Sequence, residues 1–137
     1  MIFNKTTTYA IWILTFMQKK GSGYYSANTL HEELDLPYKY VTNLLTSLHK
    51  EGLLDHKMGR SGGFCLAKPA KKILLQDISR ATNDLPDMCE CILGNGECSA
   101  DNPCALHHHG LELKKNIHNL LTQTTLEELG SMDIQKL

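Results

Sequence analysis

The chain is 137 residues long, 42% hydrophobic and 21% charged, with 14 Lys and Arg against 15 Asp and Glu, a net charge of -1. That length admits one compact domain or two small lobes sharing a core and excludes a large multidomain enzyme. The near-neutral total argues at first against nucleic acid, but residues 1–72 carry ten Lys and Arg against five Asp and Glu, net +5, and residues 73–137 carry four against ten, net -6.

In chain order, Lys5 to Lys19 reads as a first helix: Tyr9, Trp12, Ile13, Phe16 and Met17 recur at helical spacing, and Gly21-Ser22-Gly23 ends it. Its apolar run from Ala10 to Met17, broken by Thr15, is too short to cross a bilayer. Nothing resembles an export signal, so the expectation is a cytoplasmic protein with no membrane partner. Ser26 or Thr29 caps a short second helix with Ala27, Leu30 and Leu34 on one face, and Asp35-Leu36-Pro37 turns the chain into a third. In that third helix Val41, Leu44, Leu45 and Leu48 face the core, which leaves Tyr38, Lys39, Thr42, Asn43 and Thr46 along an outer strip.

Gly52 stops the third helix. Leu53 to Lys57 and Phe64 to Ala67 then read as two short strands around the glycine-rich tip Met58-Gly59-Arg60-Ser61-Gly62-Gly63. A two-stranded hairpin needs support from the helices. A fourth helix is expected over Leu75 to Thr82, followed by an irregular acidic stretch from Asn83 to Asn102. Pro103 is expected to open a long helix capped by Asp101 or Asn102 and running to about Leu121, with a last turn at Leu126 to Leu129.

Two short helices, a tight turn, a core-anchored third helix with a polar outer face and a glycine-tipped hairpin compose a winged helix-turn-helix. Thr and Asn are short enough to meet base edges from a helix lying in the major groove, and Lys39 suits a phosphate. Lys57, Arg60 and Ser61 on the wing suit the minor groove or backbone. Double-stranded DNA is the partner these features favour.

Four of the five cysteines, 89, 91, 98 and 104, fall within sixteen residues, in the order Cys91-x6-Cys98-x5-Cys104-x2-His107 with Cys89 just ahead. On a helix Cys104 and His107 would share a face, and a helix N-terminus would lower the Cys104 pKa and favour its thiolate. His108 and His109 point elsewhere on such a helix. Structural zinc takes closer Cys-x2–4-Cys pairs, whereas gaps of six and five suit loops around a bulkier iron–sulfur cluster. Zinc and a regulatory disulfide, with Cys89 or Cys91 meeting Cys98, stay open. Cys65 reads as a half-buried strand residue. Paired carboxylates, a Ser-His-Asp order and a phosphate loop are all missing, so the expectation is not an enzyme.

Taken together, the two halves resemble the IscR/NsrR-type winged-helix regulators that carry an iron–sulfur cluster. The resemblance rests on Lys5 to Ala10, Leu44 to Leu54, the wing Gly59 to Phe64 with Leu66-Ala67-Lys68-Pro69, the three cysteines with the run from Cys104 to His108, and Thr124 to Leu129. It implies a mainly α fold: a winged helix-turn-helix over 1–72, then a cysteine-rich sensor loop and a long C-terminal dimerisation helix over 73–137. It also implies a homodimer on a pseudo-palindromic operator. By position it assigns Cys91, Cys98 and Cys104 as cluster ligands and His107 as the fourth. Two departures stand out. The first gap is six residues rather than the commoner five, which keeps Cys89 as an alternative first ligand. Thr8 stands where some members place an acidic ligand, which favours His107 and a [2Fe–2S] over a [4Fe–4S] centre. The function implied is a transcriptional regulator sensing redox state, nitric oxide or iron and cluster supply. The alternatives are a cluster-free thiol sensor on the same scaffold and an iron–sulfur carrier.

Overall fold

The computed structural model describes residues 2–131. Helix α1 (Lys5–Lys20) starts where the Asn4 side chain accepts the Thr7 N–H at 3.0 Å. It stops at Gly21, whose φ of 85° a side chain would resist. Helix α2 (Ala27–Leu34) is capped by Ser26, which accepts the Thr29 N–H at 3.1 Å. Asp35 then takes the left-handed conformation, which a short polar residue tolerates, and turns the chain through buried Leu36 into α3 (Tyr38–Lys50).

Strands β1 (Leu54–Lys57) and β2 (Gly63–Leu66) pair antiparallel, Leu54 opposite Leu66 and Lys57 opposite Gly63. The hairpin leans on the loop before α2: Tyr25 and Phe64 exchange two main-chain hydrogen bonds of 2.8 Å each. Gly63 is required there, because a Cβ would lie 2.5 Å from the Tyr25 carbonyl oxygen and its φ is 139°.

A 3-10 turn at Ala70–Lys72 leads into α4 (Leu75–Ala81), and the chain closes with α5 (His107–Gln123) and α6 (Leu126–Ser131). Among the described residues one core joins the helices and the hairpin. Ile13, Leu14 and Met17 of α1 and Val41, Leu45 and Leu48 of α3 pack with Leu54, Ile73, Ile78, Leu121 and Leu126. Removing any one of these large side chains leaves a void costing about 2–5 kcal/mol. Helix α6 returns to α1 because the 124–126 segment pairs with 73–75: Leu75 N–H donates to Thr124 O at 2.9 Å and Leu126 N–H to Ile73 O at 2.8 Å.

Two expectations change. The long helix opens at His107, not Pro103. Residues 105–106 form a turn in which His107 N–H donates to Cys104 O at 3.1 Å, and neither Asp101 nor Asn102 caps the helix. Cys104 instead precedes the helix and lines a pocket together with Cys91 and Cys98 of the preceding loop. That loop is also less irregular than its composition suggests. Glu90 and Glu97 form an antiparallel bridge, with Cys91 N–H donating to Gly96 O and Cys98 N–H to Cys89 O, both at 2.7 Å. Gly94 and Gly96 at the tip have φ of 75° and 82°.

Candidate functional site

Helix α3 presents the strip its sequence calls for. Val41, Leu44, Leu45 and Leu48 are buried and fix its rotation, leaving Tyr38, Lys39, Asn43 and Thr46 exposed and Thr42 half-buried beside them. Two of the hydroxyl protons are already used: Thr42 Oγ1 donates to Lys39 O at 2.8 Å and Thr46 Oγ1 to Thr42 O at 3.0 Å. Both threonines therefore face outward as acceptors with a methyl group, while exposed Asn43 can donate and accept. Lys57 ends β1, its ammonium 5.6 Å from the Tyr24 ring centre, and Arg60 and Ser61 stand exposed at the wing tip beside Met58, which is 82% exposed.

The cysteines gather at the other end of the chain. Cys91, Cys98, Cys104 and His107 line one pocket of about 300 Å³, with Asn95, Glu97 and Asn102 on its rim. The hairpin 89–98 supplies two of these side chains, the turn before α5 the third, and the first residue of α5 the fourth. Cys98 Sγ lies 3.4 Å from His107 Nδ1, and Cys91 and His107 are buried, at 7% and 9% exposure.

The thiols differ in acidity. Main-chain N–H groups of Leu93 and then Asn95 point at Cys91 and, with the Cys104 thiol, hold its pKa below the ordinary thiol range; the Lys114 ammonium adds to this. Burial pushes Cys104 the other way, helped by the neighbouring Cys91 and opposed by the Leu106 N–H. The expected lowering at Cys104 is thus reversed. Cys104 sits ahead of α5 rather than in its first turn, so the helix terminus does not outweigh desolvation.

Cys89 is exposed and lies outside this pocket, on an adjoining one of about 420 Å³ that it shares with Cys98, His107, Leu111 and Lys114. His108 and His109 are exposed, and Cys65 is half-buried in β2. Among the described residues no three His, Cys, Asp or Glu side chains converge on a point that could hold a single metal ion. Three thiols and an imidazole spread around a pocket of this size are a donor set of the type that holds a small inorganic cluster. Lys114 escapes sequence reasoning: its ammonium donates to the Glu90 carbonyl, tying α5 to the hairpin across 24 residues, and no local pattern marks it.

A family model described as Rrf2, iron-dependent transcriptional regulator, matches residues 3–131. The chain belongs to the Rrf2 family. Among curated relatives, an HTH-type transcriptional regulator of Aquifex aeolicus is 30% identical over 135 residues, covering 97% of this chain and 94% of the relative. IscR of Klebsiella pneumoniae is 28% identical over 100 residues, 73% of this chain and 61% of IscR. Among solved structures, CymR, the global cysteine regulator of B. subtilis, aligns with a TM-score of 0.77 at 24% identity, covering 93% of this chain and 95% of CymR. IscR of T. potens aligns with a TM-score of 0.72 at 22% identity, covering 98% of this chain and 90% of IscR. The mainly helical winged-helix fold is that of these regulators. Rrf2-type regulators bind DNA, commonly as dimers, a role that is not enzymatic. The family's description names iron dependence, whereas CymR is named for cysteine regulation. No helix among the described residues is long and apolar enough to cross a membrane.

Proposed function

We propose that this Rrf2 protein is a homodimeric transcriptional regulator whose operator affinity follows the state of an iron–sulfur cluster, [2Fe–2S] in preference to [4Fe–4S], held by Cys91, Cys98, Cys104 and His107. The observation that carries the reading is the convergence of these four side chains, from three separate segments, on one pocket. When bound, the cluster would supply redox-sensitive bonds joining hairpin, turn and helix, and so a means of reporting oxidation, nitric oxide or iron supply. The N–H groups of Leu93 and Asn95 favour the Cys91 thiolate, the form that binds metal. Lys114 holds the hairpin against α5 through the Glu90 carbonyl.

Helix α5 also carries the dimer in this reading. Leu106, Leu113 and Leu120 recur every seven residues at its start and along it, 39–46% exposed, with Ile117 half-buried between them. A seven-residue apolar repeat on a helix suits a second copy of the same helix. The paired α3 helices would then read a pseudo-palindromic operator: Asn43, Thr42 and Thr46 at base edges, Tyr38 and Lys39 at the backbone, and Lys57, Arg60 and Ser61 from the wing. Successive half-sites lie about 34–36 Å apart, so a small change in the angle between α5 helices alters the fit.

The test is an anaerobic purification followed by gel shifts of the coloured and the metal-free protein on the DNA upstream of its own gene. Coloured protein whose two forms differ in affinity supports the reading. Colourless protein with a diamide-sensitive shift would assign the thiol-sensor mode instead.

A further inference from the structure

The register of the cysteine hairpin has a chemical outcome of its own. Because Glu90 bridges Glu97 antiparallel, the next pair outward is Cys89 opposite Cys98, joined by the Cys98 N–H to Cys89 carbonyl bond of 2.7 Å. Residues directly opposite in an antiparallel pair project to the same face, with Cα atoms about 5.5 Å apart at a hydrogen-bonded site. A disulfide accepts Cα separations of about 4.4–6.8 Å. Both side chains line the same surface pocket, beside Leu111 and Lys114. Cys91 has Gly96 opposite it, so Cys89 is the thiol in register with Cys98. The accessibilities also differ usefully: Cys89 is exposed, Cys98 half-buried.

We propose that Cys89 and Cys98 are a redox pair that closes a disulfide in the metal-free protein, taking a low-molecular-weight disulfide as oxidant. The exposed Cys89 thiolate attacks the small disulfide, forming a mixed disulfide and releasing one small thiol. Cys98 then attacks the Cys89 sulfur, the protein disulfide forms, and the second small thiol leaves. Two protein thiols are oxidised and one small disulfide is reduced to two thiols, with both protons passing to the leaving thiolates. Its consequence rests on the function proposed above: Cys98 cannot serve as a cluster ligand while it is bonded to Cys89, so the pair sets when the site can be reloaded.

The test uses the full chain, stripped of metal, reduced, and then treated with oxidised glutathione. Cleavage after Glu90, Glu97 and Asp101 puts Cys89, Cys91, Cys98 and Cys104 on four different peptides. The expected product is the Cys89 peptide joined to the Cys98 peptide, two hydrogens lighter than the sum. Cys98→Ser should strand glutathione on Cys89, and Cys89→Ser should yield no linked peptide at Cys98. Cys98 joined to Cys91 or Cys104 in the wild type, or glutathione held on Cys89 with Cys98 left as a free thiol, would overturn the proposal. Reconstitution with ferrous iron and sulfide then separates it from the cluster reading. Oxidised wild type should stay colourless until reduced, while Cys89→Ser treated alike regains colour. If reduced wild type never colours, the cluster reading fails and the peptide map still decides the pair.

Discussion

Thr7 and Asp84 meet side chain to side chain across 77 residues: Thr7 Oγ1 donates to Asp84 Oδ2 at 2.6 Å, and the Asn4 N–H donates to the same oxygen at 2.8 Å. Thr7 is fully buried, with Thr82 Oγ1 a further 2.7 Å away. This network fastens the first turn of α1 to the exit of α4, where the cysteine-bearing segment begins. Since α1 packs against α2 and α3, the segment is anchored on the scaffold that orients the recognition helix.

Asp84→Ala leaves the Thr7 hydroxyl and the Asn4 N–H without their carboxylate. The expected loss is about 1–3 kcal/mol of stability in urea unfolding of the metal-free protein, with Asp84→Asn retaining part of it as an acceptor. A change below about 0.5 kcal/mol, the size of an ordinary surface substitution, would show that the network does not anchor the segment.

Gly63→Ala places a methyl group 2.5 Å from the Tyr25 carbonyl at a φ of 139°. The strand must shift and the Tyr25–Phe64 pairing break, with a cost of about 1–3 kcal/mol from backbone strain. DNA affinity should fall with it, because the wing loses its support. Unchanged thermal stability and an unchanged gel shift would contradict this account of the wing.

Substitutions along the reading surface should separate into two classes. Lys39→Ala and Arg60→Ala remove charges proposed to face phosphates, one from each protomer, so each should weaken binding to all sequences and reduce the salt slope of log K for the dimer by about 1.8. Asn43→Ala should relax sequence preference by about 1–3 kcal/mol at one base pair with little change in slope. Thr42→Ala should matter less, since its hydroxyl proton is spent on the Lys39 carbonyl. Equal salt slopes for all four variants would sink the assignment of roles.

Leu113→Glu puts a charge in the exposed repeat of α5. Sedimentation should then show a monomer where the parent is a dimer, with operator affinity lowered in step. A variant that remains dimeric moves the interface off this stripe.

The helix-turn-helix and wing are legible in the sequence because each has a local cause. Val41, Leu44, Leu45 and Leu48 repeat at helical spacing, and Gly59, Gly62 and Gly63 mark the reversal between two short strands. The start of α5 is not legible. Asp101, Asn102 and Pro103 form a sound local start signal, yet the chain makes a turn there, with His107 N–H donating to Cys104 O, and Cys104 lines a pocket with Cys91, thirteen positions earlier. The 89–98 hairpin is concealed for a related reason: it is only one bridge long, and that bridge sets two like-charged glutamates opposite each other, so no alternating pattern announces it. Thr7–Asp84 and Lys114–Glu90 are long-range contacts with no periodic signature at all. The composition of the candidate site is thus readable from residues 91–107, while the grouping that leaves Cys89 outside the main pocket depends on the fold.

The central claim is that Cys91, Cys98, Cys104 and His107 hold one iron–sulfur cluster, and the most direct measurement is iron and acid-labile sulfide per chain, with the visible spectrum, in anaerobically purified protein. Wild type should be coloured, with about two irons and two sulfides per chain. Cys91→Ala, Cys98→Ala and Cys104→Ala should lose most of both, His107→Ala should alter the spectrum or shorten its lifetime, and Cys89→Ser should match wild type. Wild type without iron and sulfide, or colour undiminished in all three cysteine variants, would contradict it.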